Sequence, residues 1–198
     1  MTCKKWTDFL PFLPQEGIDE LFYKRFKSNA EELTVTVLRA PAKEKAVPLI
    51  IEQIKELNIQ KVAAAPLSLV DVKELEKHAG SAGLDFCLDL NKGNIEQAGM
   101  GISEFELGIA GLGSIFQDAS SLHRRLVSML PPVHLALLRT AGLVESFTDA
   151  LDMIEKVYEG QIPPYLSFIT GPSKTADIER ELTIGVHGPE KLIVLFID

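Results

Sequence analysis

The sequence predicts an α/β fold whose central sheet is mainly parallel, and three observations lead to this fold class. Helix-like and strand-like segments alternate regularly through the first half of the chain, as in parallel strands joined by helices. The strand-like segments are short apolar runs, as expected for strands buried on both faces. The helix-like segments repeat their apolar residues at helical spacing. With 198 residues, the chain is long enough for one substantial core.

The first half of the chain contains three helix–strand pairs. The helices are predicted from apolar residues that recur on one face, and the strands from short apolar or β-branched runs. In chain order these elements are a helix at 18–33, a strand at Thr34–Leu38, a helix at Lys43–Leu57, a strand at Lys61–Ala65, a helix at Asp71–His78 and a strand at Leu84–Leu88.

The second half begins with two β-like runs, Phe105–Ala110 and Ser114–Phe116, which form either a hairpin or one strand broken by a bulge. The predicted elements that follow are a strand at Val133–Leu138, a helix at Val144–Tyr158, a strand at Tyr165–Ile169, a helix at Ala176–Ile184 and a strand at Lys191–Ile197. We interpret residues 1–17 as an N-terminal lead-in segment and residues 18–198 as one α/β domain.

Charge and composition exclude several classes of function. A net charge of −8 argues against a nucleic-acid partner, because phosphate binding depends on clustered Lys and Arg. No apolar stretch reaches the roughly 18 residues that a membrane span needs, and no leader peptide is recognisable. The two cysteines, Cys3 and Cys87, lie far apart, which argues against a disulfide framework. We therefore expect a cytoplasmic protein.

The loop Thr170-Gly171-Pro172-Ser173-Lys174-Thr175 is the first candidate binding segment. It lies between a predicted strand and a predicted helix, where open α/β sheets bind their ligands. Its backbone N–H groups, three hydroxyls and one ammonium suit a phosphate or a carboxylate. The alternative is an ordinary helix start that Ser173 or Thr175 caps.

The turn Gly185-Val186-His187-Gly188-Pro189 is the second candidate segment. A histidine between glycines is held rigidly, and histidine titrates near neutral pH, so His187 is a candidate acid, base or anion donor. The alternative is a turn whose histidine faces water.

Gly111 and Gly113 allow a ligand or another backbone to approach a strand end closely, beside Ser114. A β-bulge or hairpin turn is the alternative. Glu104 and Glu106 precede them at strand spacing, on one face, and we expect at least one of them to be solvated. The glycines lack the spacing of a dinucleotide-binding loop, so the sequence supports no nicotinamide cofactor.

The remaining basic and histidine residues favour structural roles. The run His123-Arg124-Arg125 is interpreted as a solvated helix face, from which an arginine could reach a bound anion. His134 lies in an apolar strand and is predicted to be a hydrogen-bonded core histidine. The four histidines have no zinc-ligand spacing, and we expect no metal and no cofactor.

Three motifs occur together in the second half of the chain: Leu130-Pro131-Pro132-Val133-His134, the run from Phe168 to Glu179, and Gly185-Val186-His187-Gly188-Pro189. Their order and spacing resemble the LUD domain, the lactate-utilisation family that is also called LutC or YkgG. The resemblance is strong over residues 99–198. It is weaker from about residue 21 onward, where an Arg25-Phe26 pair opens the domain.

The resemblance implies a fold similar to the NagB/RpiA/CoA-transferase group, a three-layer sandwich with a mainly parallel central sheet. It also implies a role in the bacterial oxidation of L-lactate to pyruvate, beside iron–sulfur partner proteins that carry the redox centres. This chain would then be a non-redox subunit that binds a small anionic molecule. Whether it forms a homodimer, and whether it is an enzyme, stays open.

One departure from the family pattern bears on catalysis. Family members usually carry an alanine-glutamate-threonine-glycine-threonine run where this chain has Ala110-Gly111-Leu112-Gly113-Ser114. The missing carboxylate weakens the case for covalent catalysis, and Glu106 is the nearest substitute in the sequence. Two other functions therefore remain: a stand-alone isomerase or CoA-transferase-like enzyme acting on a phosphorylated or acyl substrate, and a non-catalytic regulatory or interaction module.

Overall fold

A computed structural model describes residues 4–13, 20–88, 91–176, 182–184 and 187–198. The helices are α1 Trp6–Phe9, α2 Glu20–Glu32, α3 Lys43–Glu56, α4 Val72–Ser81, α5 Lys92–Glu96, α6 Leu122–Met129 and α7 Phe147–Tyr158. The strands are β1 Thr36–Ala40, β2 Lys61–Ala64, β3 Asp85–Cys87, β4 Met100–Glu104, β5 Leu107–Ile109, β6 Ser114–Asp118, β7 Val133–Arg139, β8 Leu143–Val144, β9 Leu166–Ile169, β10 Lys174–Ala176, β11 Leu182–Ile184 and β12 Lys191–Ile197.

The central sheet has six strands in the order β1-β12-β7-β4-β2-β3, and every neighbouring pair is parallel. One face packs on α3 and α4 through residues such as Ile50, Ile54 and Leu75. The other face packs on α2 around Phe26 and Phe196. Because both faces are covered, the strands are continuous apolar runs, and the predicted α/β fold with a mainly parallel central sheet is confirmed.

A smaller sheet has the order β8-β5-β6-β9, and β10 pairs with β11 in a separate two-stranded ribbon. In the smaller sheet β5 pairs antiparallel with β6, and β6 pairs antiparallel with β9. Helix α7 packs on this sheet through Ile154 and Val157. The lead-in residues Phe9 and Leu13 are buried in the same cluster, so this part of the lead-in segment packs on the body of the protein.

The predicted helix at Ala176–Ile184 is wrong where the structure describes it. Ala176 ends β10, and Leu182–Ile184 forms β11, with Lys174 opposite Ile184. Thr183 and Ile184 are β-branched, which favours an extended backbone. Residues 177–181 of the predicted helix lie outside the described residues.

Two further boundaries differ from the prediction. Val144 belongs to β8, which pairs with β5, so α7 begins only at Phe147. The predicted strand Phe105–Ala110 is shorter, because β4 ends at Glu104 in the central sheet and β5 begins at Leu107 in the smaller one. Glu104 and Glu106 therefore do not share a strand face, which corrects that prediction. The hairpin alternative for the two middle runs is confirmed by β5 and β6.

Among the described residues, no helix has both the length and the apolar character that crossing a membrane requires.

Candidate functional site

The segment from Thr170 to Lys174 forms a tight turn between β9 and β10. Gly171 has a φ of +81°, a left-handed conformation that favours glycine, and Pro172 is buried. A side chain on Gly171 would begin 3.2 Å from the carbonyl oxygen of Leu33, just after helix α2. The turn therefore lies against the end of α2. It leads into strand β10 and not into a helix, so the predicted place between a strand and a helix is wrong.

Four of the predicted site residues lie on the side of this turn that faces α2. The Ser114 and Thr170 hydroxyl oxygens are 2.7 Å apart and share a hydrogen bond. The Lys174 ammonium donates to the Leu33 carbonyl oxygen at 3.4 Å. Gly113 fits against the backbone of Ala30 in α2, so here another backbone makes the close approach that its glycine allows. Thr175 lies in β10, and the structure does not describe its side chain.

The other side of the turn faces a cavity of about 420 Å³, here called cavity A. Its lining includes the predicted residues Gly171, Ser173 and His187. The Ser173 N–H donates to the Pro189 carbonyl oxygen at 2.9 Å, which joins the two candidate segments. His187 is exposed in the turn that precedes β12. The structure thus brings both predicted segments to one cavity, but it divides the predicted anion-binding residues into two groups.

Arg125 of α6 also lines cavity A, a position that fits the alternative in which an arginine of this run reaches a bound anion. Its guanidinium carbon lies 4.2 Å from the centre of the Tyr165 ring, and one nitrogen donates to the Ala119 carbonyl oxygen at 2.7 Å. The other guanidinium N–H groups have no acceptor within the described part of the chain. Cavity A therefore has a fixed cation with donors to spare.

His134, in β7, lines the same cavity and is fully buried. Its Nε2 atom lies 2.9 Å from the Ser103 hydroxyl oxygen, so the prediction of a hydrogen-bonded core histidine is confirmed. Burial lowers the pKa of His134 to about 3, and the imidazole is neutral at physiological pH. His134 and Leu192 both line cavity A and lie near the amino ends of β7 and β12, so the cavity lies beside these strand ends.

Glu106, the candidate catalytic carboxylate, lines a different cavity of about 260 Å³, here called cavity B. The Arg124 guanidinium donates to one Glu106 oxygen at 2.6 Å, and the Asp118 N–H donates to the other at 2.9 Å. Burial raises the pKa of Glu106 to about 7, against the lowering effect of Arg124. Only 12% of the Arg124 side chain is exposed, so the predicted solvated basic face is wrong for this residue.

Cavity B lies at the carboxyl ends of β2 and β4, where open α/β sheets bind ligands. Lys5 and Trp6 of the lead-in segment also line it. Glu104 accepts hydrogen bonds from the backbone N–H groups of Ser68 and Leu69, which follow β2. Glu104 and Glu106 thus both accept hydrogen bonds from nearby protein groups, and these bonds fix the two carboxylates at this edge of the sheet.

Glu145 lies beside Gly111, the position where the family resemblance implies a glutamate. A Cβ atom on Gly111 would lie 3.7 Å from the Arg25 guanidinium, and that guanidinium pairs with the Glu145 carboxylate at 3.2 Å. Glu145 therefore places a carboxylate next to the same cation that a glutamate at position 111 would meet. Glu106, the nearest substitute in the sequence, lies in cavity B instead. Only tertiary structure brings Glu145 and Gly111 together, so no local signal could have identified it.

Among the described side chains, no group of three or more His, Cys, Asp or Glu residues is placed to hold a metal ion.

Comparison with known proteins identifies the family. The LUD domain family model matches residues 23–197, which is most of the chain. The chain belongs to the LUD domain family. Lactate utilization protein C from Geobacillus sp. (strain WCH70) is 30% identical over 207 aligned positions, which cover 98% of this chain and 83% of that protein.

Other relatives match over a shorter span. Lactate utilization protein C from Bacillus subtilis (strain 168) is 36% identical over 104 residues, 52% of this chain and 43% of that protein. Uncharacterized protein NMB1437 from Neisseria meningitidis serogroup B is 39% identical over 97 residues, 49% of this chain and 41% of that protein. These alignments thus span less than half of either relative.

The fold also has a counterpart among solved structures. A DUF162 family protein from Deinococcus radiodurans superposes with a TM-score of 0.66, covers 90% of this chain and 97% of its own, and is 18% identical. At that identity the likeness concerns the fold alone, and it agrees with the α/β architecture of this LUD domain.

Proposed function

We propose that this LUD domain protein binds a small carboxylate in cavity A and serves lactate utilisation as a non-redox component. One observation carries the proposal: Arg125, whose guanidinium has N–H groups to spare, lines the same cavity as Ser173 and His187. A guanidinium presents paired N–H groups that match the two oxygens of a carboxylate.

The walls of cavity A support the same ligand class. Phe168, Ile169 and Leu192 supply apolar surface around the polar groups. Small-molecule sites are commonly of this kind, with mostly apolar walls and a few polar groups that fix orientation. His187, exposed at the cavity, would donate a hydrogen bond or a proton to the bound anion. Glu106 lines cavity B, so a joint catalytic role with His187 gains no support.

The metabolic process in this proposal rests on the names of similar proteins. Proteins similar to this chain carry the name lactate utilization protein C, and one of them aligns with 98% of the chain. Lactate and pyruvate are small carboxylates, so the name and the chemistry of cavity A agree. This agreement supports the proposal that the protein takes part in the oxidation of L-lactate to pyruvate.

Iron–sulfur partner proteins form the second part of the proposal. A cluster is commonly held by four cysteines, and this chain has two, so the redox centres would belong to other subunits. Co-expression with candidate iron–sulfur proteins of the same organism, followed by purification and iron and sulfide analysis, tests this part. We expect the clusters to co-purify with the chain. Recovery of the chain alone, with the partners folded, would speak against such a complex.

Calorimetric titration with pyruvate, L-lactate and inorganic phosphate tests the binding site. We expect Arg125→Gln to weaken pyruvate binding by roughly tenfold or more, because hydrogen bonds to charged groups contribute about 1.5–3 kcal/mol. Ser173→Ala should weaken it less, because a neutral hydroxyl is a weaker donor. Lys77→Gln is the matched control, since it removes one exposed positive charge from α4, outside the lining of cavity A.

The titration also separates the two groups of predicted residues. The Lys174 ammonium contacts the Leu33 carbonyl oxygen, so Lys174→Gln should change pyruvate affinity less than Arg125→Gln does. A larger loss for Lys174→Gln would move the anion site to the side of the turn that faces α2. Unchanged affinity in Arg125→Gln, or no binding of any of the three anions, would reject cavity A as the site.

A further inference from the structure

His134 has one ring nitrogen whose hydrogen-bonding capacity the described residues leave unused. Its Nε2 atom contacts the Ser103 hydroxyl at 2.9 Å, and the ring packs against Phe105 with centroids 5.6 Å apart. Its Nδ1 atom is buried and has no hydrogen-bond partner within the described part of the chain. Because His134 lines cavity A, Nδ1 is the polar atom that the side chain can offer to a molecule bound there.

The neighbours of Ser103 indicate which nitrogen carries the hydrogen. The Gln117 amide nitrogen donates to the Glu104 carbonyl oxygen at 2.9 Å and to the Ser103 hydroxyl oxygen at 3.3 Å. A carbonyl oxygen only accepts, so the nitrogen of the Gln117 amide must face it. The Ser103 oxygen then accepts from Gln117, and its own hydrogen is free to be donated to Nε2 of His134.

In this arrangement the neutral imidazole carries its hydrogen on Nδ1. Were Nε2 the protonated atom, the Ser103 hydrogen would need an acceptor, and none is found among the described residues. Burial holds the pKa of His134 at about 3, so the ring stays neutral across the physiological range. A buried donor without an acceptor is costly, and such donors are usually satisfied by water or by a ligand.

We propose that the Nδ1–H group of His134 donates a hydrogen bond to an oxygen on the carbon next to the carboxylate of the ligand in cavity A. Cavity A would then select α-keto and α-hydroxy carboxylates over carboxylates that lack this oxygen. The inference rests on the proposed function, because it takes the carboxylate contact with Arg125 as given. His134 is thereby a specificity-determining residue, while Ser103 and Gln117 position its ring.

Pyruvate and propionate form a matched pair of probes, because they differ in the keto oxygen. We expect the full chain to bind pyruvate about tenfold more tightly than propionate, since propionate leaves the buried donor unpaired. Nitrogen NMR of the histidine rings gives an independent readout without any substitution. Nδ1 of His134 should have the shift of a protonated nitrogen, and this shift should change with pyruvate but far less with propionate.

Two substitutions of His134 separate its donor from its structural contact. The amide nitrogen of His134→Asn falls near the place of Nδ1, whereas that of His134→Gln falls near the place of Nε2. Both variants lose the ring packing on Phe105, so thermal unfolding should show similar losses of stability. We expect His134→Asn to keep most of the preference for pyruvate and His134→Gln to lose it.

The outcomes distinguish this inference from the proposed function. Equal binding of pyruvate and propionate, with both weakened by Arg125→Gln, would overturn the role of His134 and leave the carboxylate site standing. Equal preference in His134→Asn and His134→Gln, or an Nδ1 atom without hydrogen, would overturn it as well. Failure of both acids to bind the full chain would overturn the inference and the proposed function together.

Discussion

The turn between β5 and β6 fits so closely against helix α2 that a methyl group on Gly113 has no room. Gly113 has a φ of +63°, and a Cβ atom there would lie 2.5 Å from the Ala30 nitrogen and 2.8 Å from its Cα atom. Nonbonded heavy atoms normally stay about 3.5 Å apart or more, so the turn or the helix would have to move by roughly 1 Å. Gly113→Ala is therefore a direct test of this contact.

Two costs add up in Gly113→Ala. A left-handed backbone costs a residue with a side chain about 1 kcal/mol more than glycine. Forcing an added methyl into a packed site costs about 1–3 kcal/mol, and Phe26 and Ala30 of α2 are both fully buried. The free energy of unfolding should thus fall by about 2–4 kcal/mol, which lowers Tm by roughly 4–16 °C for a chain of this size.

Gly160→Ala provides the matched control. Gly160 has a φ of +74°, but a Cβ atom there would meet nothing within 4 Å, so only the backbone cost of about 1 kcal/mol applies. Urea unfolding of both variants, followed by far-UV circular dichroism at one pH, measures the difference. Equal losses of stability in the two variants would refute the argument that α2 blocks the site.

Two further predictions concern a helix cap and a buried carboxylate. Ser146→Ala should destabilise the protein by about 1 kcal/mol in urea unfolding, because the Ser146 hydroxyl caps α7 at the Asp149 N–H. Ser121→Ala is the control, since Ser121 caps α6 without a side-chain hydrogen bond; similar losses would contradict the capping argument. Arg124→Gln should raise the pKa of Glu106 above about 7, because burial then acts with less opposition; a carbon NMR titration checks this, and a lower midpoint would contradict it. Because its pKa is raised in the folded state, Glu106 binds its proton more tightly there than in the unfolded chain. This contribution to stability is fully present at pH values below the ordinary pKa of glutamate, and it is lost as the pH rises towards about 7.

The central sheet could be predicted because its signals are local. Strands covered on both faces, such as Lys61–Ala64 and Lys191–Ile197, are uninterrupted apolar runs that need no knowledge of their partners. Helix Lys43–Glu56 shows its buried face in its own periodicity. The parallel arrangement follows from the alternation of such segments.

The smaller elements were harder to predict, because their structure depends on pairing with distant residues. The strand Leu182–Ile184 has three residues, and its extended form is supported by its partner Lys174–Ala176. Leu143–Val144 is a strand because it lies beside Leu107–Ile109. In both places a short apolar run next to polar residues was indistinguishable from the end of a helix.

The candidate site was predictable in part. The motifs identified the Ser173 and His187 segments, and both line cavity A. The roles of Arg124 and Arg125 were not predictable, because neighbours on a helix point about 100° apart and each reaches a different cavity. His134 was predicted as a core residue, and its second role depends on a cavity that only the folded chain forms.

The pairing of Arg25 with Glu145 has a consequence for how related chains are compared. A pattern that requires glutamate at position 111 would score this chain as lacking an acidic group, although one stands against the same guanidinium. The charge balance at that surface is thus a property of three positions brought together by folding: 25, 111 and 145. A comparison of LUD domains that considers position 111 alone would overlook the acidic group that Glu145 supplies in this chain.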